Sequence, residues 1–274
     1  MSTRREFLTQ TAAASVMAAG SLQIVEAVED TATGQATTTK AHKVPHEGSA
    51  SRLKSVTRRD ETTLRLGGIG DNYHMSWAAD DRQYVSVCDG VGWFKNPIGL
   101  YNSRLFAISG GPRDATFQDV PGYPDLIDNT PSRPHHAPRY YNFGTLALDG
   151  RIYQYLSTFN HEANRPDGST SPDLRFVGAK LIYSPDNGRT WCNQDGSTPV
   201  GWEPWRSRSR KTIVFFEEPQ DAFSLLTVLQ MGRNYEGNRD GYVYVYAPNG
   251  ANDGTMNQLV MFRVPKAKVL DRDA

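Results

Sequence analysis

Three short segments hold the residues best suited to chemistry. Gly70-Asp71-Asn72-Tyr73-His74 and Asp89-Gly90-Val91-Gly92-Trp93-Phe94 each set a carboxylate among aromatic, amide or imidazole groups. Asn160-His161-Glu162 is the third, and Glu217, Glu218 and Asp221 offer further acids. A glycosidase cleft needs this mixture, because one acid protonates the leaving oxygen while a second carboxylate activates water or attacks the sugar. Aromatic faces supply a stacking platform for the apolar side of a sugar ring. On this reading Asp71 and Asp89 are the catalytic pair, and Asn72, His74, Trp93, Asn160, His161 and Glu217 contact the substrate. Each has a plainer reading. Asp71 can cap a turn, Asp89 in Asp-Gly can make one more hairpin turn, and His161 suits a sugar contact better than a base. His135-His136 lies in a Pro/Arg-rich loop and reads as solvent-facing. Zinc-type Cys/His spacing is absent, so neither a metal nor a cofactor is expected. The basic run Arg206-Ser207-Arg208-Ser209-Arg210-Lys211 reads as a solvated loop, with an anionic-substrate site as the weaker alternative.

Strands and turns must position these groups. Ser184-Pro185-Asp186-Asn187-Gly188-Arg189-Thr190-Trp191 reads Ser-x-Asp-x-Gly-x-Thr-Trp, the Asp box of sialidase-like β-propellers. Asp186 can fold its carboxylate onto nearby backbone N–H groups, Gly188 supplies a positive φ without steric cost, and Trp191 leaves as an apolar plug. Ser184 and Thr190 complete the pattern. The run Phe176–Tyr183 ahead of it has strand composition. A second signal is the repeat Asp-[Asp/Gly]-x-x-Tyr at Asp80–Tyr84, Asp149–Tyr153 and Asp240–Tyr244. Each copy precedes an extended stretch and reads as the first hairpin of a four-stranded blade, with Asp80, Asp149 and Asp240 as turn residues. Tyr242, Tyr244 and Tyr246 alternate on one strand face and read as packing. In an up-and-down blade the turns after strands one and three share a face. The Asp turns and the Asp box therefore belong together, and the three candidate clusters belong to the opposite face.

Thr3-Arg4-Arg5-Glu6-Phe7-Leu8-Thr9 matches the twin-arginine export pattern, followed by the mildly apolar 12–20 and a small-residue cleavage site near Val25-Glu26-Ala27. Residues 1–27 therefore read as a signal peptide that engages the twin-arginine translocase, and the mature chain as periplasmic or extracellular. No segment has the length of a membrane span. Residues 28–61 read as a disordered linker rich in Thr, Ala, Lys, Ser and Glu, and folded sequence begins near Thr63. The two cysteines, Cys88 and Cys192, fall in different blades and read as buried free thiols. With 30 basic against 30 acidic residues the chain is neutral, which argues against nucleic acid or an anionic membrane as partner. Short strand-like runs between Gly/Pro/Asn/Asp loops, without a long helix, make the class all-β.

The segments Gly70–Asp81, Cys88-Asp89-Gly90-Val91-Gly92-Trp93, Gln230–Tyr235 and Asp240–Tyr244 resemble a bacterial family long known only as a domain of unknown function. Some of its members are endo-D-arabinofuranases, β-propeller glycoside hydrolases that cut D-arabinan. The resemblance covers residue 62 to the C-terminus. It implies a five-bladed propeller and carries the family's acidic positions to Asp71 and Asp89. It implies a polysaccharide or oligosaccharide as partner more firmly than arabinan cleavage. Cys88 departs from the larger or glycine-containing segment of related sequences. The family continues beyond residue 274, so residues 62–274 are expected to form a propeller incomplete at its C-terminus. The competing expectation is a secreted carbohydrate-binding propeller without catalysis, or an inactive fragment. A sialidase proper fits poorly, since there is one Asp box and no Arg-Ile-Pro motif.

Overall fold

A continuous run of β-branched and aromatic residues forms a strand buried on both faces only when it has a sheet on either side. The run Arg151–Phe159 meets that condition here. Ile152 and Leu156 pack toward the sheet before it, Tyr153 and Tyr155 toward the sheet after it. The computed structural model describes residues 54–124, 126–130, 133–134, 139–160, 174–249 and 258–274. Residues 1–27, read above as an export signal, most of the segment 28–61 read as a linker, and His135-His136 lie outside them. Residues 54–67 are exposed throughout, and the first strand starts at Ile69, a few residues later than the expected boundary.

Among the described residues the fold is all-β, with three antiparallel sheets and only single 3-10 turns as helix. No helix among them is long and apolar enough to cross a membrane. The first sheet comprises β1 (Ile69–Asp71), β2 (Met75–Trp77), β3 (Gln83–Gly92), β4 (Leu100–Ser109), β5 (Thr116–Asp119), β6 (Leu126–Thr130) and β7 (Arg133–Pro134). Strands β1 and β2 both pair with β3 and form one interrupted edge; β5 and β6 do the same along β4. The second sheet holds β8 (Tyr140–Leu148), β9 (Arg151–Phe159), β10 (Phe176–Ser184), β11 (Cys192–Asn193) and β12 (Phe215–Phe216). The third holds β13 (Thr227–Val228), β14 (Tyr242–Pro248) and β15 (Leu259–Pro265). In β14 the period of two is complete: Val243, Val245 and Ala247 are buried against the second sheet, while Tyr242, Tyr244 and Tyr246 form the half-buried outer face.

The Asp turns take two forms. Asp80-Asp81 and Asp149-Gly150 close short hairpins, with Asp81 at φ 66° and Asp149 at φ 49°. Asp240-Gly241 precedes β14, but its antiparallel partner β13 ends at Val228. This copy is therefore a long loop and not a tight hairpin, anchored by Tyr235, whose buried phenol donates to the Tyr242 carbonyl at 3.2 Å.

The Asp box closes the β10–β11 hairpin, where Tyr183 pairs with Cys192. Asp186 accepts from the Thr190 N–H and hydroxyl, both at 2.8 Å, and the Ser184 hydroxyl accepts the Gly188 N–H at 2.7 Å. Burial alone would raise the Asp186 carboxyl, but these bonds outweigh it and hold the group below the ordinary carboxylate range. Tyr84 of the first sheet ties this hairpin to the first Asp turn. Its phenol donates to Asp80 Oδ2 at 2.8 Å and lies 2.9 Å from the Asn187 carbonyl. The two kinds of turn thus share one end of the molecule.

Sheet edges normally demand protection, and here three edges protect one another. The Ser76 hydroxyl of β2 donates to the Thr145 carbonyl of β8. Thr145 Oγ1 returns a bond to the His74 carbonyl at 3.2 Å, and Thr227 Oγ1 of β13 lies 3.3 Å from His74 Nδ1. Gln230 imitates a paired strand: it accepts the Ala147 N–H at 3.1 Å and donates to the Ala147 carbonyl at 3.0 Å. Gln230→Ala should strip both groups of that partner and cost about 1–3 kcal/mol. Urea unfolding that moves by under about 0.5 kcal/mol, the size of an ordinary surface change, would mean that this amide does not join the edges.

Candidate functional site

Glycine decides how closely two strands approach, and the candidate carboxylates each sit beside one. Gly70 precedes Asp71 on β1, and Gly90 follows Asp89 on β3. A Cβ on Gly90 would stand 2.1 Å from the Ile69 carbonyl oxygen and 2.4 Å from the Gly70 Cα. Both obstacles are backbone, so no side-chain rotation relieves them. Gly90→Ala should therefore push β1 off β3 and destabilise the fold by about 1–3 kcal/mol, the usual cost of overpacking. An unchanged urea midpoint would contradict the close approach.

The β1–β3 ladder is irregular at this place. Ile69 pairs with Gly92 and Asp71 with Cys88, so Asp89, Gly90 and Val91 together oppose Gly70. Such bulges bend a strand and re-aim side chains. Asp89 takes φ 49° and is exposed, whereas Cys88 beside it is 1% exposed. Aspartate tolerates this left-handed region better than most residues. Across the ladder the Cys88 thiol donates to Asp71 Oδ1 at 2.9 Å, and Asn72 Nδ2 donates to the Cys88 sulfur at 2.9 Å. Burial pushes the thiol far up, and the bond to Asp71 and the charges of Asp71 and Asp89 push it further. Tyr73 is raised too, by burial and then by the charge on Asp71.

His74 occupies the meeting point of the three inner edges. Its ring packs on Phe143 with centroids 5.6 Å apart, and burial lowers its basicity. A neutral imidazole results, able to give or take a hydrogen bond. Asp71, Asn72 and Asp89 are thus grouped around Cys88, away from the end of β3 that the first Asp turn closes, while the His74 ring faces β8 and β13.

Trp93 directly follows β3 but is spent on packing. Its ring stacks on Phe117 at 4.0 Å, meets Tyr73 and Phe106 edge-on, and donates its N–H to the Leu66 carbonyl at 3.0 Å. A Cβ on Gly68 would come within 2.8 Å of its six-membered ring. The expected open stacking platform is instead a lid over the outer face of the first sheet, with Val85, Val87 and Phe106 beneath. Tyr73 and Trp77, 45% and 41% exposed, are the aromatic rings left accessible along β1–β2.

The remaining candidates have other partners or lie outside the described residues. Asn160 is buried, and its side-chain carbonyl accepts the Arg175 N–H at 3.1 Å, closing the β9–β10 connection. His161 and Glu162 lie outside the described residues. Glu217 was expected where the third sheet begins. It follows β12, which pairs with β10 on the outer side of the second sheet, and its N–H donates to the Val177 carbonyl at 2.9 Å. Three strand spacings, roughly 14 Å, separate that edge from β8. Glu218 and Asp221 are engaged by Arg210 and Arg175. Both cysteines are free thiols, Cys88 buried and Cys192 only half-buried, against the expectation of two buried thiols. A groove of about 610 Å³ lined by Asp149, Arg151 and Lys266 lies at the Asp-turn end, away from Asp71.

Sequence reading missed Cys88, Thr145, Thr227 and Gln230 as partners of this end. Only Gly70 and Gly90, each adjoining a candidate aspartate, signalled how closely the strands approach. No family model matches the chain, and no curated protein is significantly similar to it.

Proposed function

We propose that this protein is an exported glycoside hydrolase acting on a polysaccharide, with D-arabinan as the first substrate to test, and with Asp71 and Asp89 as its carboxylate pair. One observation carries the reading: Asp71 is paired across the ladder with Cys88, the residue that precedes Asp89. Paired Cα atoms lie up to about 5.5 Å apart and consecutive ones 3.8 Å, which keeps the two aspartate Cα atoms within about 9 Å. Side chains turned toward each other from that spacing can reach the carboxyl separations of about 5–5.5 Å or roughly 6.5–9.5 Å at which glycosidase pairs work.

The finer fold belongs to the same proposal. The meeting of β2, β8 and β13 at His74, Thr145 and Gln230 is what consecutive blades of a propeller would produce, with their first strands around an axis. The Asp box in the β10–β11 turn supports it. Export by the twin-arginine route, to the periplasm or beyond, is supported by Thr3–Thr9 and the segment that follows.

A second reading, a secreted carbohydrate-binding propeller without catalysis, is favoured by the stacking of Trp93 on Phe117 and by the engagement of one Asp71 oxygen with a thiol. A reducing-sugar assay on D-arabinan and a panel of other glycans separates the two, run on the native chain and on Asp71→Asn. Sugar release that disappears in the variant supports the hydrolase; glycan binding without release by either protein supports the binding module.

A further inference from the structure

A buried thiol between two carboxylates is unusual company, and its hydrogen bonds can run in only one sense. Asn72 Nδ2 is a donor, so the Cys88 sulfur accepts from it; the single S–H proton then remains for Asp71, whose ionised carboxylate can only accept. We propose that Cys88 is a positioning residue, whose thiol holds Asp71 Oδ1 in place and stabilises its negative charge.

The surroundings keep this arrangement intact. Cys88 is 1% exposed, and Gly70 and Gly90 let β1 lie close against β3 beside it. Charged and titratable groups facing it are Asp71 and Asp89, with the Tyr73 phenol nearby; His74 Nδ1 turns instead to Thr227. Two neighbouring anions and burial all disfavour a thiolate, so the donor proton persists across the neutral range. The bond fixes where one Asp71 oxygen stands, which a base or nucleophile must have settled before the substrate arrives. This catalytic consequence rests on the hydrolase reading; the hydrogen bond does not.

The test uses the full chain with Cys192→Ser, so that one thiol remains. The Raman S–H stretching band of Cys88 is expected below its position in the urea-unfolded chain, and to move up as acid protonates Asp71. A band at the unfolded position that ignores pH would overturn the proposal. In parallel, carbon NMR at about pH 7 compares the Asp71 carboxyl resonance in the parent, Cys88→Ala and Cys88→Ser. It should move in the alanine variant, which has no donor, and return toward the parent position in the serine variant, whose hydroxyl can donate. A resonance identical in alanine variant and parent would also overturn the proposal. Should Cys88→Ala fail to fold, the Raman arm decides, since it leaves Cys88 untouched. Finally, a resonance that moves as expected, with no sugar released from any glycan by the parent chain, would uphold the positioning role and remove the hydrolase reading.

Discussion

Trp191→Ala is expected to lower stability by about 3–5 kcal/mol, the range for deleting a large aromatic from a packed core. Trp191 is 5% exposed and belongs to the cluster that joins the first and second sheets, with Leu105, Ala107, Ile152 and Ile182. Its ring meets Tyr123 edge-on at 4.9 Å, and its N–H donates to the Gly188 carbonyl at 3.2 Å. Tyr123 in turn joins Ser103 and Asn142 in a buried polar network across the same joint. Alanine would open a cavity beside that network as well as release the turn. With a urea slope of roughly 2–3 kcal/mol/M, the midpoint should fall by about 1–2 M. Since total stability is commonly about 5–15 kcal/mol, Trp191→Phe is the companion variant. It keeps most of the packing, loses the indole bond, and should fall between parent and alanine. Equal midpoints for all three proteins would show that the Asp-box tryptophan carries no load between the sheets.

The turn at Ser184–Trp191 was legible because the bonds that close it are local. Ser184, Asp186, Gly188, Thr190 and Trp191 satisfy one another within eight residues, so the residue types dictate the geometry. The placement of the Asp turns and the Asp box at one end also followed from strand direction alone. What could not be read is contact between distant segments. His74 and Thr227 meet across 153 positions, and Gln230 bonds Ala147 across 83. A side chain standing in for a strand leaves no periodic trace. The third Asp repeat matched its siblings in pattern, yet its partner strand ends at Val228, and a long loop anchored by buried Tyr235 stands where the others have short hairpins.

Two candidate residues have surroundings that their place in the chain did not suggest, for one physical reason. Trp93 looked like a sugar platform because it neighbours Asp89, but Phe117 on a later strand claims its face. Glu217 looked like an inner-edge residue because it precedes the third sheet in sequence. The two-residue strand Phe215–Phe216 is too short to announce that it returns to β10 instead. In both cases proximity along the chain was a poor guide to proximity in space. Asp71 comes close to the segment of Asp89 because the antiparallel ladder pairs Asp71 with Cys88, the residue before Asp89.

Asp71→Asn should reduce sugar release by about 10²–10⁴-fold, the usual contribution of a positioned acid or base. The substitution is nearly isosteric, and its Oδ1 still offers the Cys88 thiol an acceptor, so the fold should persist. Asp89→Asn should cost a similar factor. Asparagine is the right replacement there because Asp89 sits at φ 49°, a region asparagine shares, whereas alanine would add backbone strain. Residues that act as a pair do not add, so the double variant should be scarcely worse than the worse single one. Glycan affinity should survive in all three, which separates lost chemistry from lost binding. A change of under about tenfold in Asp71→Asn, with the parent clearly active, would be too small for a positioned acid or base. The chemistry would then belong to other carboxylates, and the pairing of Asp71 with Cys88 would serve the ladder alone.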